Sequence, residues 1–285
     1  MLTVLEILRR TTDFFTAKGV ESPRLNAELL VGHALGLPRM RLYLEFERHL
    51  TEPELDKLRP LVRRRGAREP LQYILGETDF HGLKLKVDRR ALIPRPETER
   101  LVELIIERAQ PPPDRVLDLG TGTGAIALAL AAAWTQARVT AVDASTDALA
   151  LASENATALK LDATVTFVRS DWFAELPREG RFGWIVSNPP YLPEAEASAA
   201  EPEVREHEPA SALVSAENGL AAATAIIQRA PAYLEPGGVL ALETGPDQHG
   251  ILSERGQAAG WAQIESVKDL TGRPRYLFLV AAGSP

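Results

Sequence analysis

Apolar positions recur at two different periods along this chain, and the period changes near residue 78. Before that point Val4, Ile7, Leu8 and Phe15 follow helical spacing, and Gly19 closes the segment. Ser22-Pro23 offers an N-cap and a proline at the first helical position; Leu25, Leu29, Leu30 and His33 follow, up to Gly36. Thr51-Glu52-Pro53-Glu54 has the form of a capping box, in which the threonine accepts from the Glu54 amide and the glutamate reaches back. Between Thr78 and Ile93 the pattern shortens. Leu83, Leu85 and Val87 alternate with Lys84, Lys86 and Asp88, as in a half-buried strand, and His81-Gly82 supplies the turn of a β-hairpin. Pro94 and Pro96 then stiffen the chain before a helix opening at Glu97-Thr98-Glu99.

After Pro111-Pro112-Pro113 strand and helix patterns alternate. Strands are expected at 115–119, 138–142, 165–168, 184–187 and 238–243, and helices at 125–134, 146–159, 219–233 and 247–259. The last two strands, 264–267 and 276–280, follow one another without a helix. The alternation predicts an α/β fold with a doubly wound, Rossmann-like, mainly parallel sheet and an antiparallel pair at one edge. The expected organisation is a helical domain over 1–75, a β-hairpin linker over 76–95 and the α/β domain over 96–285.

Composition narrows the chemistry. Among 285 residues there is no cysteine, which removes disulfides, thiolate nucleophiles and cysteine-ligated metal sites. His33, His49, His81, His207 and His249 show no paired metal spacing, so no metal is expected. The longest apolar run, 125–134, is far shorter than the ~18 residues of a membrane span. The N-terminal stretch carries Glu6 where a signal peptide would be apolar, so the expectation is a cytoplasmic protein with no membrane partner. A net charge of −7 argues against a chain that coats nucleic acid, and no direct nucleic-acid partner is expected. The balance is uneven: residues 1–75 hold 13 basic and 10 acidic side chains, and the remainder is net −10. Arg63-Arg64-Arg65 with Arg68 reads as a solvated helix end, or as a contact for RNA or an acidic partner.

Three segments carry chemistry. In the first, the strand Val116-Leu117-Asp118-Leu119 runs into Gly120-Thr121-Gly122-Thr123-Gly124 and out into a helix. Glycines there let a ligand approach the main chain; with Ala125 the segment also satisfies the dinucleotide pattern GxGxxA, so a nicotinamide enzyme is an alternative at this stage. In the second, Asp143 follows the next strand, where a carboxylate can accept from both ribose hydroxyls of an adenosine cofactor, or else cap the helix beginning near Ser145. Asp171 and Trp172 stand after the third strand, able to meet an adenine amino group and ring, or simply to form a turn with a buried aromatic. The third is Ser187-Asn188-Pro189-Pro190-Tyr191, directly after Trp184-Ile185-Val186. An amide or exocyclic amino nitrogen has a delocalised lone pair and is a poor nucleophile. The Asn188 side-chain oxygen and the Pro189 carbonyl can accept from its NH₂ group and aim the lone pair at a methyl donor. Prolines keep such a loop rigid, and Tyr191 offers a flat face to a planar group. Methylation at pyrimidine C5 normally needs a cysteine, which this chain lacks; nitrogen is the expected target.

On these residues the chain resembles the release-factor glutamine methyltransferases, class I S-adenosylmethionine-dependent enzymes. The resemblance spans nearly the whole length. It includes the helical N-terminal region, Leu92-Ile93-Pro94-Arg95-Pro96-Glu97-Thr98-Glu99, the glycine loop, Ser170-Asp171-Trp172-Phe173 and Asn188-Pro189-Pro190-Tyr191. Glu208-Pro209-Ala210-Ser211-Ala212-Leu213, Gly237-Gly238 and Asp269-Leu270-Thr271-Gly272-Arg273-Pro274-Arg275 also look like the family. Asn-Pro-Pro-Tyr is shared with adenine-N6 DNA methyltransferases, so it marks the reaction; the Pro-Arg-Pro-Glu-Thr-Glu segment is the more telling for the substrate.

The resemblance implies methyl transfer to the N5 amide of the glutamine in the Gly-Gly-Gln motif of peptide chain release factors, a translation-termination function, by a monomer that yields S-adenosylhomocysteine. Gly120, Thr121, Gly122, Thr123 and Gly124 would line the methionine end of S-adenosylmethionine, Asp143 its ribose, and Asp171 with Trp172 its adenine. Asn188 would stand between cofactor and substrate. Asn188, Pro189, Pro190 and Tyr191 would hold the glutamine, with Asn188, Pro189 and Tyr191 catalytic. Glu97 and Thr98 would close over the cofactor, and the helical domain would dock the release factor. Alternative substrates are a ribosomal-protein glutamine or adenine N6 in DNA. A nicotinamide oxidoreductase or a noncatalytic adenosine-binding module leaves residues 187–191 without a use.

Overall fold

Strands whose residues are apolar on both faces form the middle of a single seven-stranded sheet. The computed structural model describes residues 2–177 and 180–283, so the expected outer limits Met1 and Pro285 lie outside the described residues. The chain divides into two units. One runs to Glu77 and takes in Glu201–His207; the other comprises Thr78–Ala200 and the chain from Glu208 onward.

The first unit is a helical bundle of Val4–Ala17, Pro23–Leu35, Arg39–Leu42, Glu52–Gly66, Leu71–Leu75 and the inserted Pro202–His207. Val4, Leu8, Phe15, Leu30, Val31, Leu42, Leu50, Leu58 and Ile74 fill its core. The first helix has a capping box the periodicity did not reveal: Glu6 N–H donates to Thr3 Oγ1 at 3.2 Å, and Thr3 N–H to Glu6 Oε2 at 2.8 Å. Ser22, the expected cap, makes no capping bond because its backbone is left-handed (φ 47°); Pro23 alone sets the start of the second helix. The arginine cluster is largely structural. Arg64 forms a two-point pair with Glu69 at 2.8 Å. Arg65 is buried against Asn26, at 2.7 Å, and Glu203, at 2.8 Å, while Arg68 grips Glu201 and Glu203.

β1 (Glu77–Phe80), which lies in the second unit from Thr78 onward, and β2 (Leu83–Lys86) form a two-stranded sheet. His81 and Gly82 between them are both left-handed (φ 47° and 75°), the twist a two-residue hairpin needs. The main sheet comprises β3 (Arg115–Leu119), β4 (Arg138–Asp143), β5 (Val165–Arg169), β6 (Phe182–Ser187), β7 (Leu234–Glu243), β8 (Gln263–Lys268) and β9 (Pro274–Val280). Their order is β5-β4-β3-β6-β7-β9-β8, parallel through β7, with β9 antiparallel to both neighbours. Successive residues feed opposite faces. Val116, Trp184, Val186 and Phe278 pack with helices Pro96–Arg108 and Ala125–Ala133, whereas Leu117, Ile185, Leu240 and Leu277 pack with Ala221–Arg229 and His249–Ala258.

Leu119 is level with both Val142 and Ser187, and Ser187 with Leu242. The carboxyl ends of β3, β4, β6 and β7 therefore stop at one edge, where open parallel sheets bind their ligands. The helix expected over 219–233 is shorter, Ala221–Arg229, because Glu217, Asn218 and Gly219 turn left-handed before it and Pro231 opens a 3₁₀ turn after it. Among the described residues no helix is long and apolar enough to cross a membrane.

Candidate active site

At that edge a cavity of about 240 Å³ is lined by Gly120, Thr121, Gly122, Thr123, Asp143, Asp171, Trp172 and Asn188, together with Thr98 and the 90–95 segment. Nine of the fourteen residues given a site role from the sequence, Thr98 among them, thus share one space. Glu97, Gly124, Pro189, Pro190 and Tyr191 do not line it.

The glycine turn owes its shape to Asp118. This carboxylate is fully buried, accepts from Thr121 Oγ1 at 2.6 Å and from Ala127 N–H at 3.2 Å, and so ties the strand end to the turn and to the helix beyond. Burial pushes its carboxyl up to about 7, against the lowering effect of those two bonds, and its Oδ1 has no partner. Gly120 and Gly122 are left-handed (φ 72° and 56°), a conformation that costs other residues steric strain. Gly124, also left-handed, serves packing: a Cβ there would meet Leu128 at 3.0 Å and Ala152 at 3.2 Å.

Asp143 accepts from Gly122 N–H and Ser145 N–H, each at 2.9 Å. The cap of the following helix is Ser145, whose Oγ accepts from Ala148 N–H, so the Asp143 carboxylate is half-buried at the cavity with acceptor capacity to spare. Trp172 is left-handed (φ 52°), held there by Ser170 Oγ donating to its carbonyl at 2.8 Å, and its ring lies beside Gly120. Asp171 is exposed, and its N–H donates to Glu175 at 3.0 Å. A half-buried carboxylate with spare acceptor capacity, a flat ring and a glycine turn around one space fit an adenosine-bearing cofactor.

The loop after β6 is braced from several sides. Ser187 Oγ donates to the Leu119 carbonyl at 2.7 Å, levelling the two strand ends. Gln248 Nε2 donates to the Tyr191 carbonyl at 2.8 Å, and Leu192 N–H to the Leu213 carbonyl at 2.9 Å. Pro189 is buried. Tyr191 turns its hydroxyl toward Glu243 and Arg275, 3.5 Å from each, and burial beside Glu243 pushes its phenol up to about 12. Asn188 Nδ2 donates to Thr98 Oγ1 at 2.9 Å, and Thr98 Oγ1 donates to Glu243 Oε2 at 2.7 Å. Thr98 is therefore a buried bridge to the loop as well as part of the cavity wall. Burial pushes the Glu243 carboxyl up to about 7, opposed by the Thr98 bond and Arg275.

Sequence reasoning did not single out Asp118, Glu243, Gln248 or Gly219. For the two acids a signal existed: each interrupts or ends an otherwise apolar central strand, where an unneeded charge is expensive. Gln248 and Gly219 meet the loop only through tertiary contact.

Comparison with known proteins agrees with this architecture. A family model described as the PrmC N-terminal domain matches residues 6–76, and one described as the methyltransferase small domain matches residues 97–204. Among solved structures, the T. thermophilus 16S rRNA N2 G1207 methyltransferase in complex with AdoMet and guanosine shares the fold, with a TM-score of 0.53, 24% identity and coverage of 72% of this chain and 49% of that one. A methyltransferase from Pyrococcus furiosus also has a TM-score of 0.53, at 21% identity, covering 70% of this chain and 90% of that one. Among curated proteins, the release factor glutamine methyltransferase of Deinococcus radiodurans is 45% identical over 98% of both chains. That of Rhodopirellula baltica is 40% identical over 98% of this chain and 97% of its own. With likeness of this extent across both units, the chain belongs to the release factor glutamine methyltransferase family.

Proposed function

We propose that the protein methylates the side-chain amide nitrogen of the glutamine in the Gly-Gly-Gln motif of a peptide chain release factor, using S-adenosylmethionine. The observation that carries this reading is that Asn188 lines the same cavity as the glycine turn, Asp143 and Trp172, with its amide nitrogen already engaged by Thr98. Its oxygen is thereby left to accept from an incoming NH₂ group.

Bound S-adenosylmethionine supplies an electrophilic methyl on a positively charged sulfur and departs as S-adenosylhomocysteine. Gly120 through Thr123 would hold its methionine end, Asp143 its ribose, and Asp171 with Trp172 its adenine. Asn188 Oδ1 and the Pro189 carbonyl would accept the two amide hydrogens, so that the nitrogen pyramidalises and directs its lone pair at the methyl carbon. The N–C bond forms as the C–S bond breaks, and the nitrogen then gives one proton to solvent. The two acceptors stabilise the positive charge that grows on nitrogen. A glutamine side chain offers few contacts, so discrimination among proteins must draw on remote surface, for which the helical unit is the proposed docking site. The enzyme is proposed to act as a cytoplasmic monomer.

The test is direct. Incubation with methyl-labelled S-adenosylmethionine and, separately, release factor, ribosomal proteins or duplex DNA should label the release factor, at the Gly-Gly-Gln glutamine by peptide mapping. Label confined to ribosomal protein or DNA would overturn the assignment.

A further inference from the structure

Glu243 is a buried acid that the chemistry above does not use. It ends β7, and only 1% of its surface is exposed. Its partners are what give it meaning. Thr98 Oγ1 donates to its Oε2 and at the same time accepts from Asn188 Nδ2, while Tyr191 Oη faces its Oε1. Three elements far apart in sequence are thus joined in one chain of donors that ends on a carboxylate.

We propose that Glu243, acting through the Thr98 hydroxyl, is a positioning residue that holds the Asn188 carboxamide with its oxygen toward the substrate amide. The proposal rests on the glutamine-methyltransferase reading of the site.

A primary carboxamide is nearly symmetric in shape, and turning it over exchanges its donor and acceptor ends. Packing alone discriminates weakly between the two orientations, yet one presents an acceptor to an incoming NH₂ group and the other presents a clashing donor. Hydrogen-bond polarity settles the choice. An ionised carboxylate can only accept, so the single Thr98 proton is committed to Glu243. Thr98 oxygen must then accept from its other neighbour, which requires the NH₂ end of Asn188. Among the described residues nothing donates to Asn188 Oδ1, in keeping with an oxygen kept free for substrate.

Protonation of Glu243 reverses this logic. A carboxylic acid can donate to Thr98 Oγ1, freeing the threonine proton for Asn188 Oδ1 and turning the carboxamide over. The groups facing Glu243 bear on when this happens. Arg275 and Tyr276 approach from β9, Glu97 and Thr98 from the helix Pro96–Arg108, and Tyr191 from the loop after β6. Arg275 favours the carboxylate and Glu97 opposes it; with burial the carboxyl is pushed up to about 7, so the relay loses its polarity as pH falls through neutrality.

The experiment uses the full-length enzyme with intact release factor and saturating cofactor, and reads kcat, KM and cofactor affinity from pH 6 to 8.5. Wild-type kcat should rise with pH about a midpoint near 7. Thr98→Val keeps the shape and removes the hydroxyl. It should lower kcat by ~10–100-fold, below the ~10²–10³ ascribed to loss of one whole electrostatic group, and abolish the rise. KM and calorimetric cofactor affinity should stay near wild type. Thr98→Ser restores the hydroxyl and should recover most of the rate and the rise. Glu243→Gln, which can donate or accept at any pH, should give an intermediate, pH-flat kcat. Undiminished kcat in Thr98→Val, or a reduced kcat whose rise persists, overturns the relay. If Glu243→Gln fails to fold, the Val and Ser variants at residue 98 decide the matter. Wild-type enzyme that leaves release factor unlabelled refutes the substrate assignment instead, and the relay's stated purpose with it.

Discussion

At residue scale, Asn188 and Gly219 separate chemistry from support. Asn188→Ala removes the acceptor proposed for the reacting nitrogen and leaves Asp143, Trp172 and the glycine turn in place. Turnover should fall by roughly 10²–10³, with calorimetric S-adenosylmethionine affinity near wild type; retained turnover would show that the nitrogen is held elsewhere. Gly219 never approaches the reaction, yet it supports the same loop. Its φ is 86°, and a Cβ on it would lie 2.1 Å from the Tyr191 carbonyl oxygen and 2.6 Å from Gln248 Nε2, the pair that braces the loop. Gly219→Ala should cost ~2–4 kcal/mol in denaturant unfolding, from left-handed strain plus displaced backbone, and reduce activity alongside. A variant as stable as wild type would mean that the loop has room to move.

At element scale, the helical unit relies on ionic links as well as its apolar core. Glu28 is 1% exposed and accepts from Arg24 at 2.6 Å, Arg39 at 2.6 Å and Tyr43 at 2.8 Å. Burial alone would raise its carboxyl, but those three donors outweigh it and hold it below the usual range. A depressed folded-state value means stability that is complete above the unfolded carboxylate range, near 4.3, and is lost as pH falls through the folded-state value. Glu28→Gln should therefore destabilise the helical unit at pH 7 by ~1–3 kcal/mol, and the difference from wild type should shrink below pH ~4. Circular-dichroism melts at both pH values check it; an equal loss at both would remove the ionic explanation. The arginine run at 63–65 illustrates the same physics. It is basic in sequence, but Arg64 and Arg65 with Arg68 are paired with Glu69, Glu201 and Glu203.

At the scale of the whole molecule, the helical unit is not a simple N-terminal appendage. Glu201–His207, about ten residues after Tyr191, belongs to it. Truncation at residue 77 would leave Glu203 without Arg65 and Arg68, so a clean test also replaces 201–207 by a short Gly-Ser linker. That protein should still bind S-adenosylmethionine, because the cavity is lined within the α/β unit. Methylation of intact release factor should fall by at least ~100-fold as remote binding energy is lost, while a Gly-Gly-Gln peptide should be methylated similarly with and without the helical unit. An undiminished rate on intact release factor would move the proposed docking surface to the α/β unit.

Much of this was legible in the sequence, for reasons of range. Strand and helix periods, the hairpin at His81-Gly82 and the glycine turn are local: each follows from residues within a few positions of one another, through pleat, helical repeat and backbone freedom. Asn188-Pro189-Pro190-Tyr191 drew attention by residue type alone, an amide between an apolar strand and two prolines, and the structure brings Asn188 of these four to the cavity wall. The shared cavity could be foreseen because parallel strands end at one edge. What lay beyond the sequence is every assignment that depends on a partner distant along the chain. Whether Ser22 or Thr3 caps a helix turns on local backbone set by packing. Whether Arg65 meets solvent or Glu203 depends on a segment nearly 140 residues away. The orientation of the Asn188 amide depends on Thr98 and Glu243, one 90 residues before it and the other 55 after. Pattern along a chain encodes which surface is buried, but the polarity of a buried hydrogen bond is decided only when folding removes water and leaves each donor a single acceptor.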